Sequence, residues 1–125
     1  MAKEIISTDQ APAAIGPYVQ AVRSGGLLFL SGQLGFDMTD GSIPEAVEEQ
    51  AANSLKNLQT ILREAGTDKS RVVKTTIFLT DMGDFGKVNE VYGAFFEGNY
   101  PARSCVAVRE LPKAAKVEIE CIAEV

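Results

Sequence analysis

An α+β domain, with about six strands in a mixed sheet and two helices on one face, is predicted by three features of the chain. Two stretches carry apolar residues at spacings of three and four, the C-terminal segment alternates apolar and acidic residues, and the other apolar runs are short and bounded by Gly, Pro or polar residues. The 125 residues suit one domain spanning 1–125, too short for two cores. That order of elements places helices and strands in one layer each.

Lys3 to Ser7 reads as a short strand, and Ala11-Pro12 through Gly16-Pro17 as a loop, because the residue before a proline avoids the helical region. Tyr18 to Val22 and Leu27 to Ser31 read as strands joined at Arg23-Ser24-Gly25-Gly26, a hairpin signal in which glycine permits the tight turn. After Gly41, Ser42-x-x-Glu45 has capping-box spacing, with Pro44 tolerated in a first turn. Val47, Ala51, Leu55, Leu58, Leu62 and Ala65 then form an apolar stripe that Gly66 is placed to end.

Val72 to Thr80 is rich in Val, Thr, Ile and Phe and reads as a strand, followed by Asp81 or Asp84 as a helix cap. Phe85, Val88, Tyr92, Phe95 and Phe96 mark the second helix, a crossover between parallel strands. Ser104 to Arg109 and Lys116 to Val125 are the last strands. In the second of these Val117, Ile119, Cys121 and Ala123 oppose Glu118, Glu120 and Glu124.

Two helices cover only one face of such a sheet, yet Leu27-Leu28-Phe29-Leu30 is apolar in consecutive positions, which point to opposite faces. The second face is therefore expected to be buried by another subunit in a closed oligomer.

The chain has no histidine, which removes Ser-His-Asp and Cys-His triads, the commonest metal ligand and the usual proton shuttle near neutrality. Cys105 and Cys121 form neither a disulfide framework nor a C-x-x-C motif, and their plainest role is as small buried hydrophobes. A net charge of -5 argues against a nucleic-acid surface. No stretch approaches the roughly 20 apolar residues that span a bilayer, and the N-terminal residues lack the apolar run of a secretory signal. A cytoplasmic location away from membranes is expected.

Pro101-Ala102-Arg103-Ser104-Cys105 places a guanidinium and a thiol two residues apart, hence on one strand face. Arginine's planar fork binds a carboxylate by two parallel charge-assisted hydrogen bonds, although a lone strand arginine also suits a surface ion pair. A partly desolvated Glu118 would have a raised pKa suited to a general base, as would Glu120; solvated glutamates on an open strand face are the plainer reading. Tyr18 and Ser31-Gly32-Gln33 offer hydroxyl and backbone donors at strand ends. There is neither a dinucleotide fingerprint nor a P-loop.

Together, Ala14-Ile15-Gly16-Pro17-Tyr18, Ser31-Gly32-Gln33, Val73-Lys74-Thr75-Thr76, Val88-Asn89, Pro101-Ala102-Arg103-Ser104-Cys105 and Leu111-Pro112-Lys113 with Val117-Glu118-Ile119-Glu120 resemble the RidA (YjgF) family of imine and enamine deaminases over essentially the whole chain. The resemblance implies a chorismate-mutase-like fold, a homotrimer with three clefts between subunits, and hydrolysis of 2-iminobutanoate and 2-iminopropanoate to 2-keto acids and ammonia without metal or cofactor. By the same resemblance Arg103 clamps the substrate carboxylate, Glu118 orients and deprotonates water, Cys105 lines the pocket beside the imine nitrogen, and Tyr18, Ser31, Gly32 and Asn89 shape it. The chain departs from many members in reading Leu34-Gly35 after Gln33 and Asp40-Gly41 beyond, where a more flexible loop is expected.

Two other functions fit the same residues. A non-catalytic module would use Arg103 to sense a 2-keto acid, and an endoribonuclease or translation inhibitor is the other, against which the acidic composition and the lack of histidine weigh.

Overall fold

A computed structural model describes residues 2–125. Its elements run β1 (Glu4–Ile6), β2 (Ala21–Ser24), β3 (Leu27–Leu34), α1 (Val47–Glu64), β4 (Val72–Leu79), α2 (Phe85–Phe96), β5 (Ala102–Ala107) and β6 (Val117–Glu124), with short 3-10 turns at Lys69–Arg71, Met82–Asp84 and Pro112–Ala114. The six strands form one sheet in the order β1-β2-β3-β6-β4-β5. Only β4 and β5 are parallel, and α2 makes the crossover between them, as the sequence predicts.

The β2–β3 hairpin turns at Gly25-Gly26, where Gly25 has φ 63. Its first strand begins at Ala21 rather than at Tyr18. The residues before it are held instead by the side chain of Gln20, which accepts from the Thr8 N–H (2.7 Å) and donates to the carbonyls of Thr8 (3.0 Å) and Pro12 (2.8 Å). Strand β3 runs three residues past Ser31, through a register shift between Leu30 and Gln33.

Helix α1 carries the predicted stripe, with Val47, Ala51, Leu55, Leu58 and Leu62 buried, joined by Ile61. Its start differs from expectation. Ser42 does not cap it, because its hydroxyl (2.7 Å) and N–H (2.9 Å) both bond Asp40 in a local turn, and the helix begins five residues later at Val47 after Ala46, without a side-chain cap. The end is as expected: with Gly66 at φ 82, the Gly66 and Thr67 N–H groups bond the Arg63 and Leu62 carbonyls (both 3.0 Å), a Schellman arrangement. Of the two candidate caps ahead of α2, Asp81 accepts from the Gly83 N–H (2.8 Å) in the preceding 3-10 turn, whereas Asp84, at the N-cap of α2, makes no side-chain cap bond.

Both helices lie on one sheet face, over Leu28, Leu30, Ile77, Leu79, Val117 and Ile119, each 5% exposed or less. Full burial of one such side chain contributes about 1.5–3 kcal/mol. On the other face Leu27, Phe29 and Val106 are 37, 42 and 44% exposed. Ile5, Val22, Phe29 and Ile122 form one cross-strand row there. This is the uncovered apolar face that consecutive Leu27–Leu30 predicts. No helix among the described residues is long and apolar enough to cross a membrane.

Candidate functional site

Arg103 stands on the edge strand β5 in register with Thr75, whose buried side chain faces the helices. Its guanidinium therefore emerges beside α2. It donates from Nη1 to Asn89 Oδ1 at 2.7 Å and lies over the Tyr92 ring, 4.9 Å from its centroid, with Phe85 at 5.5 Å. Among the described residues no carboxylate comes within ion-pairing distance, so the surface ion pair that a lone strand arginine suggests is not what forms. The adjoining cleft, about 440 Å³, is lined by Asn89, Tyr92, Gly93, Tyr100, Pro101 and Arg103.

Cys105 follows on the same face, in register with Ile77, and packs against the core. Burial raises its thiol pKa, and the Arg103 cation partly offsets this. The buried Cys121 thiol is pushed up to about 12, chiefly by burial and secondly by Glu120. Cys121 is thus the small hydrophobe expected from sequence, while Cys105 shares the electrostatic environment of Arg103.

Glu118 alternates with buried Val117 and Ile119, and so points to the helix-free face between Phe78 of β4 and Leu34 of β3. Desolvation among these neighbours, and secondly the like charge of Glu120, raise its pKa. A Cβ placed on Gly32 would come within 2.9 Å of the carboxylate, so the glycine leaves the space Glu118 occupies. Gly32 and Glu118 line a second cleft of about 300 Å³ with Tyr18, Ile15, Phe36 and Lys113. Lys113, which lines this cleft, and the following Ala114 hold left-handed backbone (φ 61 and 54), an uncommon conformation for residues with a Cβ.

The structure thus sorts the sequence candidates into two groups. Arg103, Cys105 and Asn89 gather on the helix-covered side at the β5 edge; Glu118, Gly32 and Tyr18 gather on the other face. Ser31 belongs to neither as a free donor, because its hydroxyl bonds the Val19 carbonyl at 2.6 Å and so fastens the loop carrying Tyr18.

The segment that follows Gln33 is fastened at its start to α1. The carbonyls of Gln33, Leu34, Gly35 and Phe36 accept from Ser54, Asn57 and Asn53 of α1, at 2.6 to 3.3 Å. Gly35 lies so close to α1 that a Cβ would sit 2.3 Å from the Gln50 carbonyl oxygen.

Tyr92 and Phe85 read as core in the sequence, yet they supply the aromatic faces under Arg103. Their spacing from Asn89, four before and three after, was the available signal, since such positions share one helical face. No group of three or more His, Cys, Asp or Glu side chains is arranged as a metal site among the described residues.

Residues 8–125 match the family described as Endoribonuclease L-PSP. The chain belongs to this family, the RidA (YjgF) family of the sequence resemblance. It is 57% identical over 120 residues to RutC family protein y4sK of Sinorhizobium fredii, covering 95% of each chain. It is 51% identical over 122 residues to the 2-iminobutanoate/2-iminopropanoate deaminase of Mus musculus, covering 97% of this chain and 90% of that one. Among solved structures, Escherichia coli TdcF with bound serine superposes with a TM-score of 0.93 at 47% identity, covering 98% of both chains. The fold and the deaminase names of relatives agree with the α+β architecture and the class of activity expected from the sequence.

Proposed function

We propose that this protein hydrolyses short 2-imino acids, 2-iminobutanoate and 2-iminopropanoate in the first instance, to 2-keto acids and ammonia without a metal or cofactor. The observation that carries this reading is the guanidinium of Arg103: a fixed cation at the mouth of a cleft, held by a neutral amide and an aromatic face and matched to no carboxylate among the described residues. A site of that kind suits a small carboxylate. The relatives named as deaminases of such imines, and the amino acid bound in TdcF, point the same way.

Arg103 and Glu118 occupy opposite faces of one sheet, so neither cleft alone carries both the carboxylate anchor and the base. The reading therefore includes a homotrimer in which the exposed apolar faces meet and Arg103 of one subunit approaches Glu118 of the next, forming three clefts between subunits. Glu118, with its raised pKa, takes a proton from water as the water oxygen bonds to the imine carbon. The imine nitrogen, left with the π electron pair, takes a proton to give the carbinolamine; a second proton, returned by Glu118, converts the amino group to ammonia, which leaves as the hydroxyl gives its proton to solvent and the keto carbonyl forms. Asn89 still has its amide N–H₂ for the bound carboxylate, since its oxygen is taken by Arg103, and Cys105 sits beside them as a neutral thiol rather than a nucleophile.

The test generates either imine in a coupled assay and follows keto-acid release. Acceleration by the wild-type protein, lost in Arg103→Ala and Glu118→Gln, is expected. Binding of a keto acid with no acceleration would instead make the protein a sensor. RNA cleavage with steep salt dependence, abolished in Arg103→Ala, would favour the endoribonuclease reading that the acidic net charge opposes.

A further inference from the structure

We infer that Tyr92 is a positioning residue for Arg103, its ring locked in place by a buried hydroxyl pair with Thr75 so that the guanidinium is held ready before any ligand arrives. The inference rests on the proposed carboxylate-binding role of Arg103 and extends it.

Thr75 is fully buried at mid-strand in β4, and Tyr92 is 4% exposed on α2. Their hydroxyls lie 2.6 Å apart, a polar link between β4 and this helix beside Arg103. A core threonine paired with a core tyrosine is a demanding choice where valine and phenylalanine would pack with no polar atoms to satisfy. What the pair supplies is orientation. It fixes the tyrosine's tilt and depth, and Phe96, 4.8 Å from the Tyr92 centroid at 53°, braces the ring from the following turn.

A face of that ring then lies under the guanidinium, while Asn89, one turn earlier on the helix, takes one N–H. With one N–H bonded and one face stacked, the guanidinium is held at the cleft that Arg103 helps to line. An arginine held in this way gives up little rotamer freedom on binding, so its affinity for a carboxylate exceeds that of a free surface arginine.

The test compares Tyr92→Leu, Tyr92→Phe and Arg103→Ala with the wild type, using 2-oxobutanoate as the binding probe. Tyr92→Leu is expected to weaken binding about threefold to thirtyfold, the range that loss of a cation–π contact allows. Tyr92→Phe, which keeps the ring but loses the hydroxyl pair with Thr75, is expected to show an intermediate loss, and wild-type affinity in Tyr92→Phe would overturn the role of the pair. In turnover the loss in Tyr92→Leu should fall on KM more than on kcat, because the carboxylate is gripped equally in substrate and transition state.

A readout independent of ligand is the guanidinium ¹⁵N spectrum. Slow rotation about Nε–Cζ of Arg103 in the wild type should become fast in Tyr92→Leu. If Tyr92→Leu leaves both the rotation rate and the 2-oxobutanoate affinity at wild-type values while Arg103→Ala loses binding, Tyr92 is only core and the inference fails alone. If Arg103→Ala binds like the wild type, the carboxylate-anchor reading fails, and this inference with it.

Discussion

Gly32 and Glu118 fit together as space and occupant: a methyl group on the glycine would lie 2.9 Å from the glutamate carboxylate. Gly32 does not hold left-handed backbone, so alanine is permitted by the chain, and the flexible carboxylate end is what must move. Gly32→Ala is therefore expected to fold with a Tm within a few degrees of the wild type but to lose most of its imine hydrolysis. A variant that kept full kcat would show that the position of the Glu118 carboxylate is immaterial.

The environment of Glu118 has a second consequence, in pH. Burial first and Glu120 second raise its pKa above the ordinary 4.5. A raised carboxyl pKa means that the folded chain holds its proton more tightly than the unfolded chain, so this contribution to stability is full below 4.5 and is lost as pH rises through the shifted value. Glu118→Gln, which cannot ionise, is expected to have a higher Tm than the wild type at neutral pH, the gain vanishing at acidic pH. Activity needs the ionised form, so kcat/KM should fall on acidification. Glu120→Gln, by removing the like charge, should move that acid limb to lower pH. A limb that stays put in Glu120→Gln would exclude the coupling.

These features were unevenly legible in the sequence. The order of helices and strands along the chain, the α1 stripe and the alternation of β6 follow from periodicity, and each lies where local pattern and burial agree. Boundaries were displaced where a side chain captured the backbone: Asp40 drew Ser42 into a turn and away from the helix cap, and Gln20 kept Tyr18 out of β2. The pairing of Arg103 with Cys105 is a matter of strand parity and could be read directly. That Glu118 faces the other way depends on which side of the sheet the helices cover, a tertiary choice that spacing alone does not encode. The roles of Tyr92 and Phe85 were hidden because a core aromatic and an aromatic beneath a cation leave the same periodic mark.

Arg103 is expected to be replaceable by neither alanine nor lysine. Arg103→Ala removes charge-assisted hydrogen bonds worth about 1.5–3 kcal/mol each, predicting a loss of roughly tenfold to over a hundredfold in 2-oxobutanoate affinity. Arg103→Lys keeps the charge but not the planar fork that stacks on Tyr92 while bonding Asn89, so it should recover only part of that loss. Titration calorimetry of the three proteins is the measurement, and lysine matching arginine would show that only the charge matters.

The face carrying Phe29 and Leu27 ties assembly to chemistry. Phe29 is 42% exposed in the centre of the row Ile5, Val22, Phe29, Ile122, on the face that also bears Glu118. If chains meet through this face, Phe29→Glu places a charge where apolar surface must be buried, at a cost that leaves the fold of each chain intact because the side chain is outside the helix-covered core. Sedimentation velocity should show a trimer for the wild type and a smaller species for Phe29→Glu, with circular dichroism unchanged. Since Arg103 and Glu118 of one chain are on opposite faces, imine hydrolysis should disappear with the assembly, even though neither residue has been altered. A Phe29→Glu monomer that still hydrolysed imine at the wild-type rate would require a complete site within a single chain, and the division of the cleft between subunits would have to be abandoned.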